Sequence, residues 1–422
     1  MPRKVSEPFR LRVVAPSPDD TVWLGGNGNW GDGANPGKPT YRTLQSVVDS
    51  INPTTGGWAQ LPGTTLAPVL LTLDEANRID RRIWQNEGSK ACLTIWASAF
   101  WDGKSFIVGF CGGHGAYNGI EAYRVRVTDQ PAAIRMYDPA PLRPGRRGGD
   151  IDPVWGPGAR HHYDTCLWVP QIGKGLYIGQ SGTPRPIWSF DPSAPTPKSA
   201  WQIISPGDAR YGIGYGSFCM MTDNEMYFAS NTVGTNGVVN LTTGVRRSLN
   251  QSDPFKVINS ASYMYMRRAS TALTSKVWHT VHSGITGTNR YHVRSYDPQT
   301  GTFSTLDAGN AFPDWWLLGS ATQYRTIALA TGSFGERVIG YPGTFGSKRN
   351  PGNEESKVFC YDPATNAMLD YTSDAGPKPT GSVNGTPAQR WQFVPQVKAF
   401  VALLKHTDNV WVFRPPAAWG IT

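Results

Sequence analysis

The chain has 422 residues, 39% of them hydrophobic, 12% aromatic and 17% charged, with 47 Gly, 34 Pro and a formal net charge of +9. With 16 Trp and 17 Tyr it is not an intrinsically disordered chain, which would be poor in aromatics. No apolar run approaches the roughly 20 residues of a membrane-spanning helix.

Residues 1–8 lack the apolar core of a signal peptide. The chain is therefore expected to be made in the cytoplasm of the producing cell and kept there, or released by a route that needs no signal. The cysteines at 92, 111, 166, 219 and 360 are odd in number and lack short metal spacings. This argues against a disulfide framework and for thiols in a reducing compartment. Part of the positive charge is local: Arg143, Arg146 and Arg147 share one Pro/Gly-rich loop. It reads as a solvated loop or as a patch for an anionic partner. No nucleic-acid-binding motif accompanies it, so nucleic acid is not the expected partner.

The first strand-like segment, 9–14, turns at Pro16-Ser17-Pro18-Asp19-Asp20 and resumes at Thr21-Val22-Trp23-Leu24. From there one phrase recurs: an apolar strand, Asp or Asn, often Pro, a polar turn and another short strand. It stands at Ile51-Asn52-Pro53-Thr54-Thr55-Gly56, Val127-Thr128-Asp129-Gln130-Pro131 and Phe190-Asp191-Pro192. It returns at Val239-Asn240-Leu241-Thr242-Thr243-Gly244, Tyr296-Asp297-Pro298-Gln299-Thr300-Gly301 and Tyr361-Asp362-Pro363-Ala364-Thr365-Asn366, with a degenerate copy at Phe413-Arg414-Pro415. The seven markers are 77, 62, 49, 57, 65 and 52 residues apart. A strand–turn–strand unit precedes each marker, clearest where Asp102-Gly103 separates two apolar runs, a strong hairpin signal. A four-stranded meander cannot bury both of its faces alone, and stacking such units in a ring covers them.

These spacings predict an all-β fold: a seven-bladed β-propeller of four-stranded antiparallel blades, one domain over residues 1–422. The closure of the ring stays open. If the strand at 9–14 pairs with the last blade instead of opening the first, the count falls to six. The longest spacing holds an insertion over about 72–86, between blades one and two. Within it, 72–84 reads as a helix, with Thr72 as N-cap and Glu75 completing a capping box. Leu73, Ile83 and Trp84 are expected to be buried, and Arg78, Arg81 and Arg82 to face solvent or a partner.

Paired glycines end a strand at Gly25-Gly26 and Gly112-Gly113, and the phrase Cys111-Gly112-Gly113-His114-Gly115-Ala116-Tyr117-Asn118-Gly119 follows the second hairpin. With the repeat, these features resemble kelch repeats and the propeller of galactose-oxidase-like proteins, of the type found in bacteria and their phages. The resemblance implies a propeller that presents loops to other protein subunits or to a glycan, with a bacteriophage virion as its setting. Its copper site does not carry over: the adjacent pair Tyr291-His292 lies within a strand, and the remaining ligands have no counterpart. No cofactor and no metal are expected, since His279 and His282 are three residues apart, whereas residues sharing a strand face alternate by two.

In propellers the loop between strands two and three shares a face with the connections between blades. His114 and Tyr117 would meet there with Arg160, His161, His162 and Tyr163. Such a set could abstract a proton next to a uronic carboxylate, with arginine neutralising the developing charge. That is the alternative reading, a polysaccharide lyase. The other reading of the same residues is that they bond the loops' own backbone. Trp30, Trp155, Trp315, Trp316 and Tyr341, with Arg146 and Arg147, are the candidate binding residues. The aromatics would serve as stacking or docking platforms, or else plug the junctions between blades.

Overall fold

The structure is a computed structural model. It describes residues 43–421 except 95–96, 111, 113–115, 143–155, 160–161, 163–164, 179–185, 206–216, 221–223, 230–236, 244, 249–264, 269–276, 284–289, 298–301, 305–325, 333–334, 342–356, 366, 373–375 and 381–388. The described chain opens with helix α1 (Leu44–Asp49), strand β1 (Gly57–Leu61) and helices α2 (Leu73–Ile79) and α3 (Ala91–Thr94). A first sheet follows, of β2 (Phe100–Trp101), β3 (Ser105–Gly109), β4 (Ala122–Arg126) and β5 (Ala132–Tyr137). The second holds β6 (Cys166–Val169), β7 (Lys174–Ile178), β8 (Ile187–Phe190) and β9 (Trp201–Ser205). The third holds β10 (Ser217–Met220), β11 (Glu225–Ala229), β12 (Gly237–Asn240) and β13 (Arg246–Ser248). The fourth holds β14 (Tyr265–Arg268), β15 (Val277–Ser283), β16 (Arg290–Asp297) and β17 (Thr302–Ser304). The fifth holds β18 (Thr326–Gly332), β19 (Gly335–Tyr341), β20 (Val358–Asp362) and β21 (Ala367–Tyr371). The sixth is built from β22 (Trp391–Val394), β23 (Ala399–Ala402), β24 (Val410–Arg414) and, at its edge, β1.

The innermost strands touch in succession, β2 with β6, then β10, β14, β18 and β22. One apolar cluster joins Phe106, Val108 and Val125 of the first sheet to Val394, Val401 and Val412 of the sixth, which closes the ring. The fold is a β-propeller. Middle strands are buried along their whole length, as in β3, β8 and β23, because both of their faces meet neighbouring blades. Outer strands are mixed: β5 and β21 keep exposed residues.

The recurring Asp or Asn has a local physical role. It closes the turn between the third and fourth strands by accepting backbone N–H groups, as Asx turns do. Asn240 Oδ1 accepts from Thr242 N at 3.0 Å and Thr243 N at 2.9 Å, and Asp191 Oδ1 from Ser193 N at 2.9 Å. At Asp129, Asp191 and Asp362 the carboxylate also pairs with a base at the start of the second strand or in the turn before it. Lys174–Asp191 and Arg337–Asp362 both measure 3.1 Å, and Lys104–Asp129 measures 3.5 Å at an exposed site.

The described residues form six sheets, not seven blades. The first and last of the seven markers belong to one blade. β24 ends at Arg414, and the turn that should follow is supplied from the other end of the chain by Asn52-Pro53-Thr54-Thr55-Gly56, leading into β1. β1 pairs antiparallel with β24, from Gly57 opposite Arg414 to Leu61 opposite Val410. Asn52 still closes its turn, accepting from Thr54 N at 2.8 Å. Arg414 stands where other blades carry Asp or Asn. It donates instead to Val48 O at 3.0 Å and Ile51 O at 3.1 Å, capping the C-terminal end of α1. The strand expected at 9–14 lies outside the described residues.

The insertion departs from a continuous helix. Thr72 caps α2 in a capping box with Glu75, but the helix stops at Ile79. Asp80 is extended, and its carboxylate accepts from Arg82 N at 2.9 Å and Leu142 N at 3.0 Å, which gives the backbone a non-helical alternative. The face expected over 72–84 is thereby broken. Ile83 is fully buried and Trp84 half-buried, whereas Leu73 is 46% exposed. Arg78, Arg81 and Arg82 are exposed, and Arg82 is also structural, through its ion pair with Asp80 and its bond to Leu142 O.

Candidate functional site

Three connections meet at one end of the first sheet. β3 ends at Gly109 opposite the start of β4 at Ala122, and Ala122 faces Tyr137 at the end of β5. The described parts of the loop 110–121, of the connection that follows β5 and of the insertion 62–99 before β2 therefore share a face. Backbone bonds hold them together: Glu87 N to Ala116 O and Asn118 N to Ile83 O, each 3.0 Å. Asn118 Nδ2 adds a bond to Arg82 O at 2.7 Å. Leu71, Ala76, Ile83, Ala91 and Tyr117 form the apolar centre of this junction, with Trp84 and Leu142 beside it. An ion pair clamps the outside, where Arg135 of β5 grips Glu75 of α2 at 2.7 and 3.1 Å. Hydrogen bonding to Arg135 and to Thr72 N holds the Glu75 carboxyl down at about 2.

Beneath the junction lies a carboxylate. Glu121 is 1% exposed. Its Oε1 accepts from both Tyr117 Oη at 2.8 Å and Tyr123 Oη at 2.9 Å, while Oε2 has no hydrogen-bond partner among the described residues. Tyr123 Oη accepts from Leu71 N at 3.0 Å, and Ser89 Oγ donates to Leu71 O at 2.7 Å, so the carboxyl is bonded through to the insertion. Burial raises the Glu121 carboxyl from 4.5 to about 7, against the tyrosine bonds, which favour the charged form. Burial, and then the nearby Glu121 charge, hold the Tyr117, Tyr123 and Tyr137 hydroxyls well above their ordinary range. Gly119 lies against the carboxyl: a Cβ there would sit 2.3 Å from Glu121 Oε2 and 2.4 Å from Tyr117 Oη.

Of the residues expected to form a catalytic set, Tyr117 and His162 are described, and neither faces solvent. Tyr117 is 2% exposed and spent on Glu121 and the insertion. His162 is fully buried; its Nε2 donates to Phe110 O at 3.0 Å, and its ring packs on Phe110 and Tyr177 at 4.5 and 5.1 Å. His114, Arg160, His161 and Tyr163 lie outside the described residues. So do the binding candidates Trp30, Arg146, Arg147, Trp155, Trp315 and Trp316. Tyr341 is not a surface platform. It is fully buried, with Trp391 at 4.9 Å and Trp58 at 5.5 Å, and fills a blade junction. His279 and His282 stand in β15, and Tyr291-His292 in β16.

Sequence reasoning missed Glu121. The signal was present: one acid between Ile120 and Ala122, inside a run that is otherwise apolar up to Tyr123.

No family model and no curated protein matches the sequence. Among solved structures, a protein of unknown function from Bacteroides thetaiotaomicron is 10% identical, with 85% of this chain and 75% of that one covered and a TM-score of 0.46. An auxiliary nutrient binding protein from Bacteroides ovatus is 8% identical over 85% and 76%, also with a TM-score of 0.46. A GH74 xyloglucanase from Xanthomonas campestris is 9% identical over 86% of this chain and 51% of that one, with a TM-score of 0.44. Nothing in these likenesses separates a kelch or galactose-oxidase type from other propellers.

Proposed function

We propose that this chain is a non-enzymatic propeller, one domain throughout, whose loop face binds another protein subunit or a glycan. The observation that carries this reading is the division of labour on that face. The described candidates for catalysis, Tyr117 and His162, are consumed in the core. The insertion on that face instead presents Arg78 and Arg81, both exposed. A stacked ring gives such a face a rigid base, because every inner strand is held between two neighbours.

The setting we propose is a bacteriophage particle, with the protein made in the cytoplasm of the producing cell and then built into the virion. Its support is the resemblance of the Gly112-Gly113-His114 phrase to kelch-like proteins of phages. No described helix is long and apolar enough to cross a membrane.

Two measurements test these readings. Mass spectrometry of purified particles from the source lysate should find the chain at a stoichiometric level, and its absence there would sink the virion setting. Incubation of the folded protein with a panel of uronic-acid polymers should yield no unsaturated ends by absorbance. Steady production of such ends would overturn the non-enzymatic reading.

A further inference from the structure

The interior of the loop face contains a group that binding does not require. A carboxyl with a bonded and an unbonded oxygen is buried beneath an insertion that depends on it. We propose that Glu121 is a proton-operated latch: neutral, it holds the insertion 62–99 tightly on the first blade, and ionised, it weakens that hold.

The carboxyl is joined to the insertion by two routes of opposite sign: the bonds at Oε1 favour its charge, and the larger effect, burial, opposes it at Oε2. Through Oε1 the carboxyl anchors Tyr117, whose ring lies in the apolar centre of the junction, and Tyr123, whose hydroxyl receives the Leu71 N–H of the insertion. Oε2 lies under the backbone of Gly119. Lifting residues 116–119 uncovers it to water, and those same residues hold the insertion through Ala116 O, Asn118 N and Asn118 Nδ2. A charge on Oε2 therefore favours opening of the segment that secures the insertion.

Among the described residues, the groups facing this carboxyl place no free counter-charge on it. They are Tyr117 on its own loop, Tyr123 of β4, Tyr137 and Arg135 of β5, and the Cys92 thiol of α3, which faces both Tyr117 and Tyr123. Arg135 favours the Glu121 charge from a distance, but its guanidinium is held by Glu75 and by Asp138 at 3.1 Å.

The sign follows from linkage. The closed carboxyl titrates near 7, and one exposed by opening titrates near 4.5. The closed state thus binds more protons between those values, and its advantage falls as pH rises through that window. Below it the latch is at full strength; above about 7 both states are ionised and the dependence flattens. Each pH unit inside the window changes the opening constant up to tenfold, on the order of a hundredfold in all.

Hydrogen exchange read by mass spectrometry on the full chain tests the latch. Peptides covering 71–90 are followed from pH 4.5 to 8.5 in the wild type and in Glu121→Gln. Comparison at each pH cancels the intrinsic chemistry of exchange, and peptides of β23 serve as an internal reference. The wild type should lose protection relative to Glu121→Gln across the window and then run parallel to it. Tyr117→Phe removes a bond that favours the charged form, so its window should extend above that of the wild type. Parallel curves for wild type and Glu121→Gln throughout would overturn the proposal. If Glu121→Gln does not fold, the wild-type and Tyr117→Phe curves decide: identical windows, or no pH dependence beyond that of β23, overturn it as well.

Discussion

Removing the Trp58 side chain should open the ring at its seam. Trp58 is on β1, the strand that the start of the described chain lends to the last blade, and it is 4% exposed. Its ring packs on Phe413 at 4.9 Å, Tyr341 at 5.5 Å and Trp391 at 5.9 Å. Truncating a buried aromatic to Ala costs about 3–5 kcal/mol from lost transfer energy and the cavity left behind. Lost aromatic pairing adds about 0.5–1.5 kcal/mol per pair. Because β1 contacts the ring mainly through this seam, the loss should appear as local opening before global unfolding. At about 1.4 kcal/mol per tenfold, exchange in 57–61 and 410–414 should accelerate at least a hundredfold. Peptides of β7 and β8, two blades away, should be unaffected at the same denaturant concentration. Acceleration confined to 57–61, with 410–414 unchanged, would refute the shared-blade closure. So would a stability loss below about 1 kcal/mol.

Arg414→Ala removes two charge-assisted bonds to Val48 O and Ile51 O; a loss of about 2–3 kcal/mol, seen as faster exchange in 44–51, is expected. Glu75→Gln should cost about 1 kcal/mol at neutral pH, since the Arg135 pair is partly exposed and screened. Its sign is opposite to that of Glu121: the carboxyl is held down at about 2, so the stability it contributes is present above 4.5 and is lost as pH falls toward 2. An acid titration of both proteins should show the curves converging there. Gly119→Ala should destabilise by about 1–3 kcal/mol because its Cβ meets Glu121 Oε2 and Tyr117 Oη. The control Gly173→Ala, with nothing within 4 Å but a φ of +61°, should cost only about 1 kcal/mol of backbone strain in a thermal melt.

The features legible in the sequence were those set by residues close along the chain. The Asp102-Gly103 turn forms because Asp102 Oδ1 accepts from Lys104 N at 2.9 Å and Gly103 takes a φ of +92°. The capping box of α2 needs only Thr72 and Glu75, three residues apart. The recurring Asp and Asn close turns two and three residues ahead. Such contacts repeat with the sequence, so the propeller and its meanders could be read from it directly.

Tertiary structure decided the rest, because there the partners are distant. The blade count turned on β1 pairing with β24, Gly57 opposite Arg414, a register between the two ends of the described chain that no local pattern encodes. α2 ended early because Asp80 bonds Leu142 across 62 residues as well as its own turn. Tyr117, His162 and Tyr341 have residue types common at surfaces and sites. Their roles were set by neighbouring blades and the insertion, which exclude water from their rings. Glu121 became a raised, half-satisfied carboxyl for the same reason: its charge is costly only once the insertion closes over it and removes the solvent.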